Sequence, residues 1–337
     1  MCREALLWLC YAQQPMSLAS LCEAVVLEEG DSFLDAESRL EHPEILLSMC
    51  AGLVSYDEVT SKIALAHSTV RMFLTSDRLA SGPLEFYHMN GITATRSIIR
   101  KCLRYLMFDE FKQPCMNLPL LKERLANYPL LDYAAKYWAI HSGSQAPVDF
   151  SFTPSELEDI LALFDTHRTE KGGNFTSWIQ VLISEAPPRV SRETSPLYYA
   201  SSFGLLPVVE KLIKSGACID VYGGRGHSTP LQVACFRNKP DVVRALLAAG
   251  ADPNSTNERG ISNITWTRKN GLSTIEQLLL DYGAVDLNES IGGTHAGPRN
   301  FDMWVCCCCG STNIAGHQCS DFCPTCGHYR CDSCPES

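Results

Sequence analysis

The segment WVCCCCGSTNIAGHQCSDFCPTCGHYRCDSCP, residues 304–335, holds nine of the chain's 17 cysteines. Within it Cys306-x2-Cys309, Cys323-x2-Cys326 and Cys331-x2-Cys334 each span one tight turn. That spacing lets two thiolates grip one tetrahedral Zn2+, and His328 adds an imidazole beside them. Gly310 and Gly327 directly follow two of the pairs, where a knuckle turn benefits from a residue tolerant of positive φ. A tail this short has too little apolar content to fold by burial alone, so metal ligation would supply its folding energy. The expected cofactor is Zn2+, one or two ions, held by Cys306, Cys309, Cys323, Cys326, His328, Cys331 and Cys334. Two pairings stay open. A ribbon would use Cys306, Cys309, Cys323 and Cys326, leaving Cys331, Cys334 and His328 for an incomplete second site. A cross-brace would join Cys306 and Cys309 to Cys331 and Cys334, with Cys319, Cys323, Cys326 and His328 as the second site. The cross-brace gives each of two ions a full ligand set, which favours it slightly. The rival reading is a metal-free, redox-active thiol cluster, and three C-x2-C pairs within 29 residues argue against that.

Other chemistry does not stand out. The sequence has no G-x-x-x-x-G-K-[ST] phosphate loop, no Ser/His/Asp arrangement and no paired-carboxylate site. Asp165 and His167 read as ordinary surface residues, and no enzymatic activity is expected. The formal net charge of −10, with Lys and Arg scattered, argues against a general nucleic-acid or anionic-membrane binder. No apolar run approaches the roughly 18–20 residues that a spanning helix needs, so no membrane is expected as a partner. The other eight cysteines (Cys2, Cys10, Cys22, Cys50, Cys102, Cys115, Cys218 and Cys235) are scattered singly in apolar surroundings. They read as free, buried thiols of a reducing compartment, the cytoplasm or the nucleus.

The elements ahead of the tail divide by pattern. Ala5, Leu6, Leu9 and Cys10 fall at helical spacing until Pro15 ends the run. Ser17 is placed to cap a second helix, and Pro43 suits the first turn of a third that carries Ile45, Leu46, Met49 and Leu53. LVSYDEVTSKIALAHS then reads as two strands around a polar turn, and Ser68 is placed to cap TVRMFLTSDRL. Three helices followed by a hairpin is the order of a winged helix. Farther on, SPLYYASSFGLLPVVEKLIKSGACID and TPLQVACFRNKPDVVRALLAAGADPN superimpose at an offset of 34 residues, Pro196 on Pro230, Ala200 on Ala234 and Gly216 on Gly250. A third copy, SNITWTRKNGLSTIEQLLLDYGAVD, keeps Gly271 and Gly283-Ala284 in register but lacks the T-P-L and alanine positions.

These motifs carry three resemblances. ALLWLCYAQQPMSLASLCEAVVLE, HPEILLSMCAGLVS and IALAHSTVRMFLTSDRL resemble the winged helix that follows the nucleotide-binding domain in fungal NACHT-type STAND proteins. RKCLRYLMFDEF and YPLLDYAAKYWAIHS resemble the helical segment after it. That resemblance implies a nucleotide-sensing role for His67, yet the missing phosphate loop leaves no nucleotide domain in this sequence to sense. A backbone-bonded His67 is the expectation, and a separate NTPase chain is a conceivable partner. The second copy's T-P-L…A…LL…G pattern resembles ankyrin repeats, which implies a concave protein-binding face. Its tips would lie near Tyr222–His227 and Asn254–Gly260. The tail resembles a small zinc module at the C-termini of fungal proteins, and also the front half of a RING finger, which needs one more cysteine pair than the sequence up to Ser337 supplies.

The reading is a mainly α chain in six segments: a winged-helix-like domain (1–80), a helical segment (81–142), a helical linker or atypical repeat (143–194), ankyrin repeats (195–286), a linker (287–302) and a Cys-rich zinc module (303–337). The expected function is a protein–protein interaction scaffold. A RING-like ubiquitin ligase and a zinc-dependent nucleic-acid regulator are the alternatives.

Overall fold

The computed structural model describes residues 1–285 apart from 29, 35–38, 41, 144–146, 148, 167–171, 185–193, 223–227 and 258–259. It also describes the backbone of two strands in the tail, 302–305 and 312–315. The chain divides into two compact units, residues 1–163 with 177–184, and residues 164–176 with 185–337.

The first unit opens with α1 (Cys2–Tyr11), the short strand β1 (Met16–Ser17) and α2 (Leu18–Val26). Ser17 caps α2 as its position suggests, accepting a hydrogen bond from Ser20 N at 3.0 Å. Next come α3 (Glu44–Met49), the hairpin β2 (Val54–Asp57) and β3 (Lys62–Leu65), then α4 (Ser68–Leu74) and α5 (Asp77–Ala80). The sheet has the order β1-β3-β2, all antiparallel. Its two-residue β1 is too short to show as a pattern, but Met16 pairs with Ile63 and both are buried. Four local expectations are corrected. Pro43 is the N-cap of α3 rather than a first-turn residue, and Leu53 lies beyond the helix end at Cys50. The cap of α4 is His67 and not Ser68, because the imidazole Nδ1 accepts from Thr69 N at 3.2 Å. TVRMFLTSDRL is broken at Ser76, whose hydroxyl caps α5 in turn.

Behind this winged helix pack α6 (Gly91–Leu106), α7 (Leu118–Asn127) and α8 (Leu131–His141). α6 is strongly amphipathic: Ile98, Ile99, Cys102, Leu103 and Leu106 are buried, while Arg100 and Arg104 on the other face are exposed. Buried Glu23 of α2 ties the layers together. Its carboxylate accepts from the Tyr105 hydroxyl at 2.5 Å and from Leu130 N at 3.1 Å, and it pairs with Arg39 at 3.1 Å. Burial pushes the Glu23 carboxyl above its ordinary range, against the pull of those three partners. Two further helices follow, α9 (Pro154–Phe164) and α10 (Gly173–Leu182). From α10, the Trp178 indole donates to Ala135 O at 2.8 Å, and Gln180 bridges both backbone groups of Cys115. Glu156 near the start of α9 is held by Arg96 and Arg100.

The second unit is built from helix pairs: α11 (Pro196–Phe203) with α12 (Leu206–Lys214), α13 (Pro230–Phe236) with α14 (Pro240–Ala248), and α15 (Asn263–Lys269) with α16 (Ser273–Asp281). First helices pack on first helices and second on second, so each pair buries the face its neighbour leaves open. Gly216, Gly250 and Gly283 end the second helix of each pair with φ of 84°, 95° and 87°, a conformation in which a side chain would be strained.

Seven of the eight scattered cysteines are free thiols, as expected. Cys218 is the exception: it is disulfide-bonded and lies half-buried in the turn after α12. The two tail strands, β4 (Asp302–Val305) and β5 (Thr312–Ala315), pair antiparallel.

Candidate interaction surfaces

The ankyrin-type unit is locked by polar contacts between consecutive pairs. Thr229 and Gln232 form a reciprocal capping box at the start of α13: Thr229 N donates to Gln232 Oε1 at 2.9 Å, and Gln232 N to Thr229 Oγ1 at 3.2 Å. The Gln232 amide also donates to Ser255 O at 3.1 Å, crossing to the next loop. Asp220 accepts from Asp252 N, and Asn254, its equivalent one repeat later, accepts from Val285 N at 2.8 Å and donates to Gly283 O. Burial, with the neighbouring charge of Asp252, pushes the Asp220 carboxyl upward.

The degenerate third copy shows how lost motif residues are replaced. Ser262 takes over the capping role of Thr229, accepting from Thr265 N at 3.3 Å. Asn263 stands where the earlier copies have proline, and its amide bonds Pro253 O and Ser255 Oγ. Thr267 fills the alanine position fully buried, its hydroxyl satisfied by Ile264 O at 3.0 Å. Only the type of each polar partner could have signalled this in sequence, and a search for T-P-L and Ala passes over it.

The first helices line up to present one face. On it Phe236 of α13 and Trp266 of α15 meet edge to face, with ring centroids 4.5 Å apart, and both are partly exposed. The Trp266 Nε1 hydrogen is buried with no acceptor among the described residues. Exposed Arg237 and Lys269 flank the pair. Of the two tips expected to bind, residues 223–227 and 258–259 lie outside the described residues. Asn254 is committed to holding the next pair and is not free to contact a partner.

On the first unit, the winged helix exposes apolar side chains. Val59 at the hairpin turn is 94% exposed and Met72 on α4 69%, and Ile45, Met49 and Phe73 are exposed as well. α3, the position of a recognition helix, carries Glu44 and no Lys or Arg. Its composition suits contact with protein and not with phosphate. His67, the residue given a sensing role by the resemblance, spends its Nδ1 on the α4 cap.

All seven expected zinc ligands lie outside the described residues. Among the described residues, no group of three or more His, Cys, Asp or Glu could hold a metal ion. The β4–β5 register sets Val305 opposite Thr312. No helix among the described residues is long and apolar enough to cross a membrane.

The family model for the GPI inositol-deacylase winged helix domain matches residues 1–85. A model of ankyrin repeats in three copies matches residues 169–257. The chain therefore joins a winged helix to ankyrin repeats. The ankyrin match takes in α10 and stops short of α15 and α16, which continue the same helix-pair geometry. Azaphilone pigments biosynthesis cluster protein L of Monascus ruber is 25% identical over 268 residues, covering 72% of this chain and 54% of that protein. Protein phosphatase 1 regulatory subunit 27 of Homo sapiens is 41% identical over 64 residues, 19% of this chain and 41% of that protein. The chain thus spans about half the length, or less, of these curated relatives. A solved ankyrin repeat domain from Acinetobacter baumannii AYE is 20% identical with a TM-score of 0.30, covering 50% of this chain and 93% of that one. The repeat assignment rests on the family model and on the helix pairs themselves.

Proposed function

We propose that this chain is a non-catalytic scaffold whose ankyrin unit holds a protein partner against its first-helix face. The observation that carries the proposal is the Phe236–Trp266 pair. It is a partly exposed aromatic pair on a face fixed by interlocked capping contacts. Aromatic anchors on a rigid support are what interface hot spots require. The test compares pull-downs by the full chain with those by Trp266→Asp, Phe236→Asp and the outer-helix control Glu210→Lys. Partners lost with the first two and kept with the third support the reading. Partners indifferent to all three overturn it.

We also propose a second partner for the winged helix, a separate nucleotide-binding chain; its exposed apolar side chains and its resemblance to NACHT-associated segments support this. Co-elution with such a chain, abolished by Val59→Asp together with Met72→Asp, tests that assignment. Unchanged co-elution, or none with the unsubstituted chain, removes it.

We further propose that the tail is a zinc module. The C-x2-C spacings supply thiolate pairs of the kind that grip one tetrahedral Zn2+. Elemental analysis of the full chain should find one or two zinc ions, removed by chelator with loss of the β4–β5 pairing. A metal-free chain with freely reactive thiols would contradict this.

A further inference from the structure

Two thiols meet at the base of the winged helix. Cys2 begins α1, Cys50 is the C-cap residue of α3, and their sulfurs stand 3.6 Å apart. Both are free in this structure. They differ in access, since Cys50 is 1% exposed and Cys2 is partly exposed. The other described free cysteines show no thiol neighbour of this kind. Cys10, Cys22, Cys102 and Cys235 are each buried in their own surroundings, where burial pushes every one of these thiols upward. A disulfide needs the sulfurs at about 2.0 Å, so the pair closes by a sulfur movement of about 1.6 Å in total, within what side-chain rotation and slight backbone adjustment supply.

We propose that Cys2 and Cys50 form a reversible redox latch that fastens the start of α1 to the end of α3. The oxidant is a low-molecular-weight disulfide of the glutathione type. Partly exposed Cys2, as thiolate, attacks one sulfur of the oxidant and releases one equivalent of thiol, leaving a mixed disulfide on Cys2. Cys50 then attacks the Cys2 sulfur. Its proton passes to the departing thiolate, the mixed disulfide breaks, and the Cys2–Cys50 bond forms. The balance is one protein dithiol plus one small disulfide giving one protein disulfide plus two small thiols, and a dithiol reductant reverses it. Burial and the Cys2 sulfur raise the Cys50 thiol to about 12. This agrees with the order of events, with the accessible cysteine reacting first and the buried one resolving. α3 carries exposed Ile45 and Met49, so the latch would hold fixed one edge of the winged helix's apolar face.

The experiment equilibrates the full chain with glutathione buffers of rising oxidised fraction, quenches with an alkylating agent and maps peptides after trypsin. Cleavage after Arg3, Arg39 and Lys62 leaves Cys2 in residues 1–3 and Cys50 in residues 40–62, so the latch appears as one linked species. It should accumulate with oxidised glutathione and vanish with dithiothreitol. Cys50→Ala should stop at glutathione on Cys2. Thermal unfolding of the oxidised chain should rise and return on reduction, with Cys2→Ser, which leaves the core untouched, showing no such shift from this pair. Cys2 found only as a stable mixed disulfide in the unsubstituted chain, or the two peptides recovered fully alkylated and unlinked under oxidation, would overturn the proposal.

Discussion

At the residue scale, the informative side chains are polar groups the fold has buried. His141 is 2% exposed in the first unit, with Tyr133 Oη 2.8 Å from its Nε2, and burial lowers its pKa to about 4. In the unfolded chain the same ring titrates near 6.5. The native state therefore binds this proton less readily than the unfolded state. The stabilisation is fully present above about pH 6.5 and is lost as pH falls towards 4. A separation of that size amounts to at most about 3 kcal/mol. His141→Gln keeps an acceptor for the tyrosine without a titrating group. Urea unfolding at pH 7.5 and 4.5 should show a smaller loss for the variant than for the unsubstituted chain, and equal losses would remove His141 as a source of acid sensitivity. Nothing in the sequence around His141 announces this role. Its partners, Tyr133 and Gln13, are set by the packing of α8 against the residues after α1. His67 is the opposite case, because a histidine at a hairpin-to-helix junction can be read as a backbone partner before any coordinates are known.

At the element scale, the ankyrin helices depend on caps and cross-repeat bonds as much as on their apolar stripes. Thr229 is fully buried, so Thr229→Ala removes a cap and leaves Gln232 N without its acceptor. The loss should be about 1–2 kcal/mol, seen as an earlier unfolding transition of the repeats. Asp220 offers a test of opposite sign. Its carboxyl is pushed upward by burial and by Asp252, so the ionised form weakens the folded state at neutral pH. Asn254 fills the equivalent place as an amide that accepts the matching backbone hydrogen. Asp220→Asn should therefore raise the unfolding midpoint at pH 7 and have no such benefit at pH 3, where the carboxyl is already protonated in both states. A lowered midpoint at pH 7 would show that the charge is wanted. Periodicity made the helix pairs legible in sequence, including the third, because Gly271 and Gly283 hold register there. The replacements Ser262, Asn263 and Thr267 were not legible. Each works through a partner brought near only by the fold. β1 escaped notice for a related reason, since two residues make no pattern and its pairing to β3 is a tertiary fact.

At the scale of the whole molecule, two kinds of surface follow from one composition. The net charge of −10 and, in the first unit, the cation-free α3 both disfavour binding to phosphate backbones. The winged helix leaves Ile45, Met49, Val59, Met72 and Phe73 exposed. The repeats keep a partly exposed aromatic pair on a rigid face. Fold class and unit order were legible from repeat spacing and helix–hairpin order. The choice of partner-facing residues was not, because it depends on which loop side chains the fold consumes internally. Asn254 was expected at a binding tip and instead stitches two repeats together.

If the first helices of the repeats receive a protein partner, photo-crosslinking from that face captures it. A photoreactive amino acid placed at Trp266, at Arg237 and, for contrast, at outward-facing Glu210 would be activated in cells of the source organism. The same crosslinked protein is expected at positions 266 and 237, with none at 210. Crosslinks to that protein confined to position 210, or equal at all three, would contradict it.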